Sequence, residues 1–318
     1  MNAMSPSVRL EDVSCPLGCA RSDRVIMVGE DRISHVPGRF TIVQCSACGL
    51  KRVNPRPTPA TMGNYYPDSY GPYHVSEEGD GTGSAASGRL ARGRLKSLLG
   101  LDTRLIPPMG TGHLLELGSA HGAFLATARA LGWTVEGIEF SAFAAEKARE
   151  HGLVVQVGSV ETADPPTMRP DMIAAWMVLE HLHEPVTTLK RLREWIKPGG
   201  YLIFSVPDAS SLVQSVFGEW SFDLQLPNHL YHYSPATLHK LLAASGWRVD
   251  RIRWQSNPQT FLRSIVFMAG DKNWPRTGRI AQALASDPRW GRTRALLGVV
   301  LGWTRQSGRI EVWARPTG

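Results

Sequence analysis

The chain has 318 residues, of which 42% are hydrophobic and 20% are charged, and its formal net charge is +7. This composition is enough for one large domain plus a smaller module, and most of the chain should fold. Residues 1–14 lack the apolar core of a signal peptide, and the longest apolar run, residues 295–303, is too short to span a bilayer. We therefore expect a soluble, cytoplasmic protein without a membrane span.

All four cysteines lie before residue 49, in two close pairs. Three residues separate Cys15 from Cys19, and two separate Cys45 from Cys48. Pairs with this spacing can present four thiolates to a tetrahedral zinc ion, and an ion with four protein ligands is structural, not catalytic. Disulfides or unrelated thiols are the alternatives, and the expected location argues against disulfides. We predict that these four cysteines bind structural zinc.

A cluster of tyrosines follows the cysteines, with Tyr65, Tyr66, Tyr70 and Tyr73 inside nine residues. They can pack a small module against its neighbour, or they can form a substrate-facing lid, because a phenol offers both apolar surface and a hydrogen bond. Both interpretations stay open. We assign residues 1–75 to a zinc-binding module with this tyrosine-rich segment. The Gly- and Ser-rich stretch and the basic segment after it, residues 76–100, are typical of a linker and a helix.

Short apolar runs alternate with helical patterns from residue 113 onward. Strands that alternate with helices of about 10–15 residues predict an α/β fold with a parallel, doubly wound sheet, here over residues 101–318. Residues 247–255 and 308–316 have the pattern of two final strands. The Trp- and Arg-rich residues between them, 256–307, are predicted to be a helical insert, because a hairpin loop normally has only about 2–5 residues.

The loop "GSAHG", residues 118–122, follows the first strand of this sheet. Ligands of doubly wound sheets bind at the carboxyl ends of the strands, and the N–H groups that begin the next helix favour an anion there. Glu116 would repel a pyrophosphate, but it suits a ligand that carries both a carboxylate and an ammonium group. Glu139, 23 residues later, ends the second strand, where an acid can accept both hydroxyls of a ribose. S-adenosylmethionine contains both an amino acid and a ribose, so these two sites predict it as the cofactor.

Four segments, in this order, resemble the motifs of class I S-adenosylmethionine-dependent methyltransferases over about residues 100–255: "LLELGSAHG", "VEGIEFS", "DMIAAWMVLEHLHEP" and "WIKPGGYLIFSVPD". The N-terminal cysteine segment resembles the zinc-binding module of a subgroup that acts on nucleotide-linked sugars and other small biosynthetic intermediates. The resemblance implies a Rossmann-like, seven-stranded sheet whose last strand is antiparallel. One departure is Ala120, where many members have the middle glycine of the first motif, although alanine still permits close approach of the backbone.

The resemblance also implies roles for individual residues. The loop and Glu116 would hold the methionine end of the cofactor, and Glu139 would hold the ribose. Ser159 and Val160 would border the adenine, and Trp176, which closes the fourth strand, would lie near the nucleoside or the sulfonium. The predicted cofactor-binding residues are Glu116, Gly118, Ser119, Ala120, Gly122, Glu139, Phe140, Ser159, Val160 and Trp176.

Methyl transfer is an in-line displacement that depends on alignment, and a hydroxyl or carbon nucleophile also needs a base with a pKa near neutrality. Histidine fits this requirement best. His181 follows the fourth strand, and His229 lies in the loop after the fifth strand, where the sugar-methylating relatives place a histidine. We predict His229 and His181 as catalytic residues, with Tyr65, Tyr66 and Tyr70 at the acceptor. In the alternatives, His181 orients its loop or caps a helix, or a good nucleophile needs no base.

The expected acceptor is a small molecule, either a sugar (nucleotide-linked or a surface-saccharide precursor) or a secondary metabolite. Residues 240–318 hold 14 Lys and Arg against 4 Asp and Glu, which fits an anionic acceptor or simply arginines that coat helices. One alternative function is an RNA methyltransferase that grips the RNA backbone with the cysteine module and the basic tail. The scattered charges disfavour nucleic acid. Another alternative is a zinc-ribbon protein that binds the cofactor without turnover, and the oligomeric state is left undetermined.

Overall fold

A computed structural model describes residues 8–66 and 111–318. The predictions for Tyr70, for Tyr73 and for the linker at residues 76–100 lie outside the described residues. The strands, in chain order, are β1 (Leu10–Glu11), β2 (Asp23–Gly29), β3 (Phe40–Cys45), β4 (Lys51–Val53), β5 (Arg56–Pro57), β6 (His113–Leu117), β7 (Thr134–Glu139), β8 (Val155–Val157), β9 (Met172–Trp176), β10 (Tyr201–Pro207), β11 (Tyr231–His232), β12 (Trp247–Trp254) and β13 (Arg309–Pro316).

The helices of the described residues follow the same order. The α-helices span Pro59–Met62, Ala123–Ala130, Ala142–Glu150, Pro185–Trp195, Leu212–Phe217, Pro235–Ala244, Gln259–Asp271, Pro275–Ser286 and Gly291–Trp303. Short 3-10 turns span Gly63–Tyr65, Leu179–His181, Gly218–Trp220, Phe222–Leu224 and Pro288–Trp290. Among these helices, none combines the length and the hydrophobicity that a bilayer crossing requires.

A seven-stranded sheet with the order β12-β13-β10-β9-β6-β7-β8 forms the large domain. The last strand, β13, is antiparallel to both of its neighbours, and the other four strand pairs of the sheet are parallel. Every residue of β6 and β9 is buried, as expected for central parallel strands that are covered by helices on both faces. The predicted seven-stranded α/β fold with an antiparallel last strand is therefore confirmed.

Hydroxyl side chains fix where two of the helices begin. Ser141 accepts a hydrogen bond from the Ala144 N–H, and Ser234 forms a reciprocal capping box with Thr237 ahead of Pro235 at the first helical position. Such caps satisfy backbone donors that a helix leaves unpaired at its first turn. These caps fix the first residue of the helix that follows β7 and of the helix that follows β11.

The segment between β12 and β13 is helical, as predicted, and several basic residues near it are engaged within the fold. Arg253 pairs with buried Glu311 at 3.1 Å, and Arg309 lies 3.5 Å from the Asp223 carboxylate. Other guanidinium groups stack on rings, as Arg305 does on Trp254. These three arginines are therefore not free to bind a polyanion, whereas Arg276, Arg279 and Arg292 are exposed.

The N-terminal module shares its sheet with the large domain. Its four-stranded sheet has the order β11-β4-β3-β2, and β11 comes from the loop after β10. The Val53 N–H donates to the Leu230 carbonyl at 2.9 Å, next to this pairing. Leu50 and Val53 belong to the same buried core as Leu230 and Leu238. The module and the loop that carries His229 are therefore held together as one packed unit.

Candidate functional site

Tight backbone turns shape the loop at residues 118–122, at the carboxyl end of β6. Gly118 and Gly122 have φ of +66° and +81°, and Ala120 also has a positive φ of +47°, a region that glycine enters far more readily than alanine. The N–H groups of Gly118 and Ser119 donate to the Ile138 carbonyl at 2.8 and 3.2 Å. The loop thus folds directly over the end of β7.

A glycine on β7 makes this close approach feasible. A Cβ atom on Gly137 would lie 2.8 Å from the Ser119 Oγ and 2.9 Å from the Leu125 Cδ1, closer than side chains approach one another in folded proteins. Glu116 of β6 lies beside Gly137 in the register of the two strands and is buried. Any side chain at position 137 would therefore displace the loop.

Glu139 ties the loop to the next helix. Its Oε2 accepts a hydrogen bond from the Ala120 N–H at 2.7 Å, and its Oε1 accepts one from the Ser141 N–H at 2.8 Å. Burial raises the pKa of this carboxyl above its usual value, against the lowering effect of the N–H donors of Ser141, Ala120 and Phe140. Each oxygen keeps further acceptor capacity, so the carboxylate can still accept hydroxyl groups of a ligand.

The remaining residues of the predicted cofactor set surround this edge. Ser159 follows β8 and caps a turn through its Oγ, which accepts from the Glu161 N–H at 3.2 Å, and Val160 is buried. Phe140 is mostly exposed. Trp176, at the end of β9, packs edge-on against Phe124 with ring centroids 5.2 Å apart. Because β6 pairs with both β7 and β9, the ends of these strands form one crevice.

The structure brings the two predicted catalytic histidines together. The rings of His181 and His229 meet edge to face with centroids 4.7 Å apart. His181 lies in the 3-10 turn after β9, and its Nδ1 is 2.9 Å from the Asn228 carbonyl and 2.8 Å from the Tyr66 hydroxyl. His229 is 1% exposed, and its Nδ1 is 2.8 Å from the Asp223 carbonyl.

Burial keeps both imidazoles neutral. It lowers the pKa of His181 to about 4, against the opposing effect of the Asn228 carbonyl. Burial also lowers the pKa of His229 well below its usual value, and the neighbouring His181 and His232 lower it further. A neutral imidazole has one nitrogen with a lone pair, so each ring can accept a proton or bind an electrophile.

Of the tyrosines predicted at the acceptor, Tyr66 reaches the histidines and the Tyr65 side chain does not. The ring of Tyr65 is 2% exposed and packs edge-on against Phe40 inside the module, at a centroid distance of 5.7 Å. Only its backbone carbonyl reaches the neighbouring loop, where it accepts from Asn228 Nδ2 at 2.9 Å. The Tyr66 ring, by contrast, lies 6.3 Å from the ring of Phe140, directly beside Glu139 in the chain. Of the two described tyrosines, Tyr65 therefore packs inside the module and Tyr66 reaches the crevice.

Glu180 is a member of this cluster that the sequence analysis did not identify. It is 0% exposed, and within the described part of the chain neither carboxylate oxygen has a hydrogen-bond partner in another residue. Burial raises its pKa to about 8, against the lowering effects of its own backbone N–H and of nearby Arg309. The residue directly precedes His181 in "LEHLHEP". In a sequence, an acidic residue beside a histidine does not indicate a functional site unless its burial is known.

The four cysteines converge at the turns before β2 and before β4. Their sulfur atoms all lie within 4.8 Å of one another, and the Cys15 and Cys48 Sγ atoms are 3.6 Å apart, too far for a disulfide. Burial opposes ionisation of Cys45, but the N–H groups of Cys48 and Ala47 bring the pKa of its thiol down to about 7. Sulfur atoms around a tetrahedral zinc ion lie about 3.8 Å apart, so the four thiols fit this metal.

The chain is similar to a family of known proteins and to several solved structures. The family model of a methyltransferase domain matches residues 89–252. The ubiquinone biosynthesis O-methyltransferase of Thiobacillus denitrificans is 27% identical over 174 residues, which cover 50% of this chain and 74% of that protein. A solved chain from the complex of the Haloferax volcanii Trm112 methyltransferase activator with a methyltransferase is 16% identical, with a TM-score of 0.48 and coverage of 66% of this chain and 85% of that one. The CcbJ methyltransferase of Streptomyces caelestis is also 16% identical, with a TM-score of 0.42 and coverage of 64% and 83%.

Proposed function

Because the chain belongs to the methyltransferase domain family and is an S-adenosylmethionine-dependent enzyme, we propose that it methylates a small-molecule acceptor in the crevice between Tyr66 and His181. The contact that carries this proposal joins the Tyr66 hydroxyl to His181 Nδ1 at 2.8 Å. Tyr66 lies beside Phe140, which directly follows Glu139. The predicted cofactor residues and the neutral histidines are thus linked through Tyr66 and Phe140, which favours an acceptor small enough to lie between them.

S-adenosylmethionine supplies the activated methyl group, and the residues of the chain hold the cofactor in place for the transfer. In this proposal the ribose hydroxyls donate to Glu139, whose carboxylate is already oriented by the N–H groups of Ala120 and Ser141. Glu116 and the loop at residues 118–122 hold the methionine end. Ser159 and Val160 border the adenine, and Trp176 lies at the nucleoside side. Alignment of donor and acceptor then accounts for much of the rate.

The acceptor group is a hydroxyl, in keeping with the O-methyltransferase named among the relatives, and a sugar or an aromatic secondary metabolite provides one. Its proton must leave as the methyl group arrives. Tyr66 and His181 are the groups nearest to this hydroxyl, whereas His229 lies behind His181 and is almost completely buried. His181 thus acts at the acceptor, and His229 positions and supports it.

We assign structural zinc to Cys15, Cys19, Cys45 and Cys48. Their spacing and the 3.6 Å separation of the Cys15 and Cys48 sulfur atoms support this assignment. Lys240 Nζ donates to the Cys48 carbonyl at 2.9 Å, so the cysteine turn also touches the large domain. Zinc would hold the β3–β4 hairpin and, through β4, the pairing with β11 beside His229.

Mass spectrometry of small-molecule extracts incubated with the protein and methyl-labelled cofactor tests the proposed function. We expect a gain of one labelled methyl group on a low-molecular-weight hydroxyl compound. Label that appears only in RNA would favour the RNA methyltransferase, and no transfer to any acceptor would favour the non-catalytic alternative.

Calorimetry tests the cofactor site separately. Glu139→Ala removes an acceptor that serves two backbone donors and, in the proposal, the ribose, so the affinity for S-adenosylmethionine should fall by at least about tenfold. Glu136→Ala is the matched control, because Glu136 lies on the opposite face of β7, where it contacts His113 and Thr167. Undiminished binding by Glu139→Ala would overturn the assignment.

A further inference from the structure

Glu180 is a buried carboxylate that receives no donor from another side chain. Its side chain is 0% exposed, and within the described residues neither oxygen accepts a hydrogen bond from a residue other than Glu180 itself. Arg309, the cation that acts on it, is placed against the Asp223 carboxylate at 3.5 Å. Burying such a group is unfavourable unless a cation or donors compensate it. The carboxylate is therefore a side chain whose partner is still to be identified.

Two histidines face this carboxylate. One ligand atom each of Glu180, His181 and His229 lies within 4.8 Å of the other two, and His229 Nε2 is 4.0 Å from Glu180 Oε1. Ligand atoms around a divalent metal ion lie about 3–3.5 Å apart. A small inward rotation of the three side chains would bring them to that separation.

The hydrogen bonds of the two imidazoles prepare them as ligands. A carbonyl oxygen can only accept, so the contacts of His181 Nδ1 with Asn228 O and of His229 Nδ1 with Asp223 O place a hydrogen on each Nδ1. The lone pair of each ring is then on Nε2. Metal-binding histidines have this arrangement, in which the second ring nitrogen donates to a carbonyl or a carboxylate.

We propose that Glu180, His181 and His229 bind one divalent first-row transition-metal ion, such as Zn²⁺, Mn²⁺ or Co²⁺. Two imidazoles and one carboxylate suit these ions, whereas Mg²⁺ and Ca²⁺ favour sites made of oxygen ligands alone. Three protein ligands leave coordination positions open. This site is distinct from the cysteine site, whose four thiolates close the coordination of their metal.

The ion also bears on the proposed function, on which this part of the inference rests. His181 contacts Tyr66 through Nδ1, whereas the ion would lie on Nε2, among the buried side chains of Glu180 and His229. The ion would therefore fix the orientation of the His181 ring toward Tyr66 and would not itself contact the acceptor.

Titration of the metal-free, full-length protein with Co²⁺, without cofactor or acceptor, tests the site. We expect two ions per chain, one with thiolate-to-cobalt charge-transfer absorption and one without it. Glu180→Gln should weaken the second ion by at least the ~10–100-fold that is lost when groups supporting a metal site are removed, and it should leave the thiolate absorption unchanged. Glu184→Gln is the matched control, because it makes the same substitution on a mostly exposed side chain four residues away and should retain both ions.

A single ion per chain in the wild-type protein, bound entirely by thiolates, would overturn the proposal, as would a second ion that Glu180→Gln still holds with unchanged affinity. His181→Gln provides a second variant at a partly exposed position, and far-UV circular dichroism confirms that each variant is folded. Binding of S-adenosylhomocysteine is measured in the same preparations. A wild-type protein that binds S-adenosylhomocysteine but only one Co²⁺ refutes the metal site and leaves the proposed function intact.

Discussion

The Tyr66 hydroxyl lies 2.8 Å from Nδ1 of His181, although 115 residues separate the two in the chain. Tyr66 follows the last 3-10 turn of the N-terminal module, and His181 ends the turn after β9 of the large domain. The contact therefore joins the module that carries the cysteines to the crevice at the strand ends. The module is consequently in direct contact with the candidate site through Tyr66.

The first prediction concerns this hydroxyl. Tyr66→Phe removes one hydrogen bond to a group at the acceptor, so kcat/KM for methyl transfer should fall roughly tenfold while the Kd for S-adenosylmethionine stays unchanged. Tyr65→Phe makes the same substitution on the adjacent ring, which is buried against Phe40, and should have little effect on kcat/KM. Equal losses in the two variants would show that Tyr66 has no special role.

The second prediction follows from the raised pKa of Glu139, whose main cause is burial. The ionised carboxylate is the form that accepts the ribose hydroxyls, so affinity for S-adenosylhomocysteine should fall as the pH drops through this pKa, by up to about tenfold per pH unit. Because the pKa is raised, the fall should begin above the range of an ordinary glutamate. Calorimetry across this pH range measures it.

The same shift has a consequence for folding. A carboxyl group whose pKa is higher in the folded than in the unfolded chain favours folding most when it is protonated, so its contribution to stability declines as the pH rises through the folded pKa. Glu139→Gln, which cannot ionise, should flatten both pH profiles. An affinity profile of the wild-type protein that parallels that of Glu139→Gln would contradict the assignment of the ribose to Glu139.

The third prediction concerns Gly137. A Cβ atom here would meet the Ser119 Oγ at 2.8 Å and the Leu125 Cδ1 at 2.9 Å, so Gly137→Ala should lower the free energy of unfolding by about 1–3 kcal/mol and weaken cofactor binding. Gly63→Ala is the control, because a Cβ atom at Gly63 meets nothing within 4 Å and its φ is −55°. Urea denaturation of both variants measures the difference.

The fourth prediction concerns the cysteine site. Removal of the metal by a chelator, or Cys48→Ser, should lower Tm strongly, because binding to a structural zinc site contributes directly to folding. The two treatments should not add, since both act on one site. Ser46→Ala changes an exposed side chain in the same turn and should leave Tm nearly unchanged. A chelator that has no effect on Tm would argue against a structural metal.

Loss of the metal should also lower the activity of the large domain. The turn that carries Cys48 precedes β4, which pairs with β11 three residues before the helix that begins at Pro235. We therefore expect methyl transfer to decline when the cysteine site is emptied, even at temperatures where the seven-stranded sheet stays folded. Circular dichroism and activity, followed in the same titration with chelator, separate these two effects.

Much of the architecture could be predicted because it depends on local patterns. Buried runs such as "HLLEL" and "MIAAW" indicate central parallel strands wherever they occur, and the spacing of the cysteine pairs limits which sulfur atoms can meet. The proximity of Glu116 and Glu139 could also be predicted, because residues at the ends of neighbouring parallel strands lie at one edge of the sheet. These features require only the order of the elements and not their detailed packing.

The composition of the histidine cluster depends on contacts between distant segments, and only the tertiary structure decided it. Adjacent residues in the tyrosine segment point in different directions, so the choice between Tyr65 and Tyr66 follows from how the module packs on Phe40 and on His181. The near-complete burial of His229 and of the Glu180 carboxylate is likewise visible only in the packed structure. The sequence by itself determined the sheet, the glutamates at the strand ends and the cysteine pairs, whereas the three-dimensional packing determined which polar side chains lie together in the interior. The physical reason is that burial and long-range contact arise from the whole fold and leave no periodic pattern in the chain.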